Sequence, residues 1–186
     1  MDINAMTTVI IVIAILAALA SGIAAAAAWA VRRQEKKRYY EAAKKIIQEE
    51  YLNSAIRNPE NGSWAAGIWK TMVYLKAEGE KHGGFVFDPE DQVRIGRNRS
   101  GNEICLPDVR VSGEHCRLFL YEGYVFAEDL GSSNGTFIRH RRGKIQQLSG
   151  TPQQMFSGDR LYVGDTCLKL VIFQCNAAPC DGGVKI

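Results

Sequence analysis

Charge is absent from a long early stretch of this sequence. Residues 9–31 contain no Asp, Glu, Lys or Arg, and 21 of the 23 are apolar, with Ser21 and Gly22 the exceptions. Such a run excludes a simple soluble single-domain protein. No second run of this length and apolarity exists, which excludes a polytopic transporter or channel. Cysteines number five, an odd count in 186 residues that does not fit a disulfide framework. The three histidines are scattered. There is no P-loop, no G-x-S-x-G, no H-E-x-x-H and no C-x-x-C pair, so the familiar nucleotide, hydrolase and zinc signatures are missing. Cys175 and Cys180 lie five apart without a neighbouring His, which argues against a metal site. Cys105, Cys116 and Cys167 fall in strand-like runs and read as small buried hydrophobes. A formal net charge of +3 argues neither for nor against nucleic acid.

What is present at the N-terminus reads as a membrane span. At 1.5 Å per residue, 23 helical residues reach roughly 34 Å, against a hydrocarbon core of about 30 Å. Trp29 sits near the end, where indole favours the interface, and Arg32, Arg33, Lys36, Lys37 and Arg38 follow. Only Asp2 is charged before the span, so the positive-inside rule puts the N-terminus outside and the remainder in the cytoplasm. A cleaved signal peptide is the competing reading. The Ala-rich end offers cleavage-like sites, but the basic start is missing and the apolar run is too long. Ala14, Ala18, Gly22 and Ala26 recur every four residues, a small-residue face suited to pairing two helices, although alanine-rich segments produce such faces by chance.

Residues 32–57 lack Pro and Gly and continue as a basic helix. Tyr40, Ala43, Ile47 and Tyr51 form one apolar stripe along it. The basic cluster either sets topology alone or also attracts anionic headgroups, each cation contributing about 1 kcal/mol near the surface. Asn58-Pro59-Glu60-Asn61-Gly62 breaks the helix, and 58–70 reads as linker.

From about Thr71 the pattern becomes short apolar runs divided by turns. Nine runs suit strands: 72–76, 84–87, 93–96, 104–106, 116–121, 124–128, 136–138, 160–163 and 167–173. Leu118 and Leu120 alternate with Arg117 and Phe119, the period of two expected for a half-buried strand. Glu122-Gly123 and Gly164-Asp165 are two-residue hairpin candidates. Many short strands without helical patterns predict an all-β sandwich. Polar groups concentrate in three loops: Arg97 after one strand, Ser112 to His115 before another, and Asp129 to Thr136 between two more. Loops cluster at the ends of such a sandwich, and these carry a guanidinium, hydroxyls, an amide and glycine-flanked N–H groups, a donor set suited to an oxyanion. Ser112-x-x-His115 resembles a nucleophile and base, but it lacks an orienting acid and an identifiable oxyanion hole, so no enzyme is expected.

The segments VRIGR (93–97), EICLPD (103–108), VSGEH (111–115), DLGSSNGTF (129–137) and SGDRLYVGD (157–165) occur in the order and spacing of the forkhead-associated (FHA) domain family. The chain resembles that family from about Thr71 to Gln174. The resemblance implies an FHA-type β-sandwich of about eleven strands that binds phosphothreonine peptides through loops at one end. By motif position, Arg97 pairs with the phosphate and Ser112 donates its hydroxyl to the same group. Asn134 holds the peptide backbone, and Ser133 adds a bond. Arg110 reads side chains after the phosphothreonine. Gly96 permits a tight turn, His115 organises the loop from behind, and Gly135 supports the site. Gly113 stands where the family often has a larger polar side chain that contacts the ligand. The run Arg139-His140-Arg141-Arg142-Gly143-Lys144 replaces a common Asn-Gly; it reads either as a preference for acidic flanking residues or as a solvated basic hairpin.

The expected layout is therefore a short extracytoplasmic N-terminus (1–8), a transmembrane helix (9–31), a juxtamembrane helix (32–57), a linker (58–70), an FHA domain (71–174) and a tail (175–186). The expected partner is a phosphothreonine-containing protein, a Ser/Thr kinase or its substrate, with the membrane as second contact through 9–31 and homodimerisation through the helix as an option. No cofactor, metal or nucleic acid is expected. The alternative is a phospho-independent structural component of a membrane complex.

Overall fold

The computed structural model describes residues 3–57, 69–79 and 84–176. The expectations for 58–68 and 177–186 lie outside the described residues. The chain divides into two compact units, Met1–Tyr40 and Glu41–Ile186.

One helix, α1, runs Ile3–Arg57. Its sequence has no proline and a single glycine, Gly22, and is dominated by good helix formers. It ends two residues before Pro59, whose ring disfavours helical backbone at the residue ahead of it. Helix begins at Ile3, so most of the stretch 1–8 expected as a separate terminus is helical. By length and composition α1 can cross a membrane. Within the first unit, Arg33 stacks over the Trp29 ring at 5.1 Å.

Eleven strands follow among the described residues: β1 (Trp69–Ala77), β2 (Phe85–Phe87), β3 (Val93–Gly96), β4 (Ile104–Cys105), β5 (Cys116–Tyr121), β6 (Tyr124–Asp129), β7 (Thr136–Arg139), β8 (Ile145–Gln147), β9 (Gln153–Gln154), β10 (Arg160–Val163) and β11 (Thr166–Asn176). They form two sheets, ordered β2-β1-β11-β10-β7-β8 and β4-β3-β5-β6-β9. Alternation packs them together. Val73, Leu75, Ile138, Leu161, Leu168 and Leu170 from one sheet meet Ile95, Leu118, Val125 and Ala127 from the other in one core. The β5–β6 hairpin turns at Glu122 (φ +49) and Gly123 (φ +81), both left-handed as a type I′ turn needs. The β10–β11 hairpin turns at Gly164 (φ +58), with positive φ at the first central position only.

Two strands escape the pattern reading. All of β8 is exposed and β9 is two glutamines, so neither shows alternation. Two others are longer than expected. β1 starts at Trp69, inside the expected linker, because it pairs with β11 from Trp69↔Asn176 to Ala77↔Leu168. β11 therefore takes in Cys175 and Asn176, which the expected layout assigned to the tail.

The second unit has a smaller core on the outer face of β1 and β11. Met72, Tyr74, Phe173 and Cys175 are buried yet stand outside the main core, on the opposite strand parity. Ala43 and Ile47 of α1 are buried as well. Lys70 on β1 pairs with Glu50 at 2.8 Å and with buried Asp88 at 2.7 Å, and Lys44 and Glu41 act on the Cys175 thiol. The stripe read at 43 and 47 thus covers this end of the sheet. The side chain of Tyr51 lies outside the described residues.

Candidate functional site at the loop end of the sandwich

The strand directions decide which loops meet. β3 ends, β5 begins, β6 ends and β7 begins at the same end of the sandwich, because β3, β5 and β6 pair antiparallel in sequence and Asp129 bonds Thr136 across the β6–β7 connection. After β3 the chain keeps pairing with the segment ahead of β5. Arg97 N–H donates to the Ser112 carbonyl at 2.9 Å, and Asn98 N–H to the Gly113 carbonyl at 3.3 Å. This approach demands glycine at 96: a Cβ there would sit 2.2 Å from the Gly113 carbonyl oxygen. Asn102 clamps the same place, its Nδ2 donating to the carbonyls of Asn98 (2.8 Å) and Gly113 (2.7 Å).

His115 is fully buried and ties two loops together. Its Nδ1 accepts from Ser112 N–H at 3.0 Å, and its Nε2 faces the Gly135 carbonyl at 3.3 Å. An amide can only donate and a carbonyl can only accept, so the ring is neutral with its proton on Nε2. Burial holds its pKa below the ordinary histidine value, against the opposing effects of the Gly135 carbonyl, Asp129 and Asp108. Ser112 Oγ accepts from Ser133 N–H at 3.0 Å. A hydroxyl that accepts there still has its own hydrogen to give. Asn134 Nδ2 donates to the Arg110 carbonyl at 2.8 Å, which leaves its Oδ1 and one N–H. Gly135, not Asn134, takes the left-handed backbone (φ +76).

Asp129 shapes the β6–β7 loop from below. It accepts from the N–H groups of Gly131 and Ser132 and from the hydroxyls of Ser132 and Thr136. Burial would raise its pKa, but these bonds outweigh it and hold the carboxyl below its ordinary value. Asp108 does the same for the neighbouring turn. Its two oxygens accept from Arg110 N–H and Asp165 N–H, both at 2.9 Å.

The structure therefore links Arg97, Gly113, Ser112, His115, Ser133, Asn134, Gly135 and Arg110 in one hydrogen-bonded set. Within it the side chains differ in availability. Arg97 is exposed, and its guanidinium makes no hydrogen bond or ion pair among the described residues. The Arg110 guanidinium is engaged by the Asp165 carboxylate. Gly113 contributes its carbonyl to the clamp. The sequence reading missed Asn102, Asp108 and Asp165 as parts of this set. Asp129 was visible as the first residue of its loop motif, but Asn102 carries no signal short of the fold. The basic run 139–144 is not part of the set. β7 leads away from Asn134, so three strand steps, about 10 Å, separate Arg139 from Thr136.

Residues 93–164 match the family model of the FHA domain. An FHA domain-containing protein of Arabidopsis thaliana is 37% identical over 68 residues, which are 36% of this chain and 17% of that protein; the chain thus spans only a small part of that curated relative. Among solved structures, the FHA domain of the CT664 protein from Chlamydia trachomatis aligns with a TM-score of 0.48 and 22% identity over 55% of this chain and 98% of that one. Mycobacterium tuberculosis EmbR in complex with a low-affinity phosphopeptide aligns with a TM-score of 0.47 and 23% identity, over 54% of this chain and 24% of that one.

Proposed function

We propose that this chain is a membrane-anchored module that binds phosphothreonine peptides at the loop end of its sandwich. Its role is interaction rather than catalysis. The observation that carries the reading is the uncommitted Arg97 guanidinium on a rim whose other loops are fixed by buried polar bonds. A phosphothreonine brings a charge of about −1.5 to −2 and three acceptor oxygens. Arg97 offers it a planar fork of donors that stays charged. The Ser112 and Ser133 hydroxyls and the remaining Asn134 groups lie on the loops hydrogen-bonded to the Arg97 segment. Each charge-assisted bond contributes about 1.5–3 kcal/mol, so two or three separate phosphorylated from plain peptide. Arg110, held by Asp165, reads the side chains that follow the phosphothreonine. The partner is a Ser/Thr kinase or one of its substrates.

In this reading residues 9–31 of α1 span the bilayer, with the N-terminus outside and the sandwich in the cytoplasm. Anchoring raises the effective concentration of the site for membrane-bound partners, so modest peptide affinity suffices. The test is a titration of full-length chain in lipid nanodiscs with matched phosphothreonine and threonine peptides. The phosphopeptide binds and its partner does not, and Arg97→Ala abolishes the difference. Equal binding of the two peptides overturns the reading and leaves the phospho-independent scaffold. Flotation of the chain with vesicles, and proteolysis of sealed vesicles from one side, test the anchor and its direction.

A further inference from the structure

The segment ahead of β5 brings Ser112 and Gly113 against the loop that carries Arg97, and Gly113 has no side chain to offer a ligand there. Its backbone does not require glycine, because Gly113 is not among the residues with left-handed φ. Space requires it instead. A Cβ at position 113 would lie 2.7 Å from Asn98 Nδ2, 3.3 Å from its Cγ and 3.6 Å from its Oδ1. These are the three nearest heavy atoms, and all belong to one carboxamide. The Asn98 side chain, from the β3–β4 loop, therefore stands in the room that a side chain at 113 would take.

Asn98 is held by its backbone while its carboxamide stays free. Its N–H donates to the Gly113 carbonyl at 3.3 Å, and its own carbonyl accepts from Asn102 Nδ2 at 2.8 Å. The side chain is exposed, and the carboxamide makes no hydrogen bond among the described residues. It keeps two N–H donors for a ligand. Other free donors flank it. Arg97 precedes Asn98 in the chain, and Ser112, whose Oγ accepts from Ser133 N–H and retains its hydrogen, precedes Gly113. A phosphate ester has three terminal oxygens, with more lone pairs than one guanidinium and one hydroxyl can fill.

We infer that Asn98 is a phosphate-contacting residue of this site: its carboxamide, seated where the side chain of residue 113 would stand, donates to the phosphate beside Arg97 and Ser112. The inference rests on the phosphothreonine-binding reading and adds to it a residue from the β3–β4 loop. It also accounts for Gly113, which leaves that seat open. Positions 98 and 113 then act as one unit, because only one of them can place a side chain there.

The test uses the full chain in nanodiscs with a fluorescent pool of degenerate phosphothreonine peptides and the matching threonine pool. Asn98→Ala weakens binding of the phosphorylated pool roughly fivefold to tenfold, less than Arg97→Ala does, because a carboxamide carries no charge. Asn98→Asp keeps the shape, replaces the donor with a carboxylate and weakens binding further. Both variants keep the wild-type melting temperature, since an exposed group without partners is altered. Gly113→Ala displaces the flexible carboxamide from its seat. Its loss of affinity matches that of Asn98→Ala, and the double variant loses no more than either single one. Wild-type affinity in Asn98→Ala and Asn98→Asp overturns the inference, while the phosphothreonine reading stands as long as Arg97→Ala abolishes discrimination between the pools. Losses that add in the double variant overturn it too, as does a melting temperature that falls in step with affinity. Equal binding of the two pools by the wild type overturns the phosphothreonine reading itself, and this inference with it.

Discussion

The sandwich treats its polar groups in opposite ways at two places. At the loop end hydrogen bonds tie the loops to one another: His115 between Ser112 and Gly135, Asn102 Nδ2 between two carbonyls, Asp129 under four donors. Order there leaves a few defined groups to face outward, with Arg97 foremost. On the outer face of the six-stranded sheet the reverse holds: Arg139, Arg160 and Lys169 stand side by side, and among the described residues Glu78 is the one carboxylate that ion-pairs with any of the three. In the proposed reading the first arrangement selects a ligand by geometry. The second gathers like charge with little to balance it. Order and unbalanced charge are thus divided between separate surfaces, and substitutions should separate them.

The largest effect is expected at Gly96. A Cβ would meet backbone first, the Gly113 carbonyl oxygen at 2.2 Å, and then the Asn102 carboxamide, 2.6 Å away, that clamps the same carbonyl. Gly96→Val should cost about 3 kcal/mol or more and remove peptide binding with it. A denaturant titration of the sandwich checks this, and near-wild-type stability would show that the β3–β5 clamp yields.

Arg97→Ala should do the opposite. The side chain is exposed and unpaired among the described residues, so the melting temperature stays within the range of surface substitutions. Phosphopeptide affinity falls by about tenfold to a hundredfold, the equivalent of one charge-assisted bond. Calorimetric titration against the same peptide supplies the number.

The loop end and much of the fold were legible in the sequence. The alternation in β5, β6, β10 and β11 comes from residues close in sequence, and the loop motifs fall in a fixed order. β8 and β9 were not legible, because an exposed edge strand needs no apolar face and a two-residue strand has no period. The stripe at Ala43 and Ile47 was visible, but not that it is buried, nor that Met72, Tyr74, Phe173 and Cys175 turn outward to form a second small core. The cationic row was invisible for a different reason. Residues 139, 160 and 169 become neighbours only through register, which no local window contains.

His115 sharpens the loop side of the comparison. His115→Leu keeps bulk but orphans the Ser112 N–H and the Gly135 carbonyl, about 1–3 kcal/mol for each group left buried. The wild type should also carry a pH signature. Its folded pKa is depressed, so the unfolded chain takes up the proton first. Stability is therefore full above the ordinary histidine value of about 6.5 and declines as pH falls below it. Urea midpoints at pH 5.5 and 7.5 should differ in that direction, and the difference should shrink in the leucine variant.

The smallest effect tests the other surface, and its sign is what matters. If the row Arg139, Arg160 and Lys169 is held together against repulsion, removing one exposed member should stabilise the fold. Lys169→Gln takes away a cation that lies opposite Arg160 and breaks no ion pair among the described residues. It should raise stability by a few tenths of a kcal/mol at low salt, within the range of cross-strand charge effects. Screening should erase the gain at about 1 M salt, where the Debye length is only about 3 Å. Thermal melts of both proteins at the two ionic strengths decide it. A loss of stability at low salt would mean that Lys169 is bound into the face by Glu78 rather than repelled by its neighbours, and the row would then be ordinary surface.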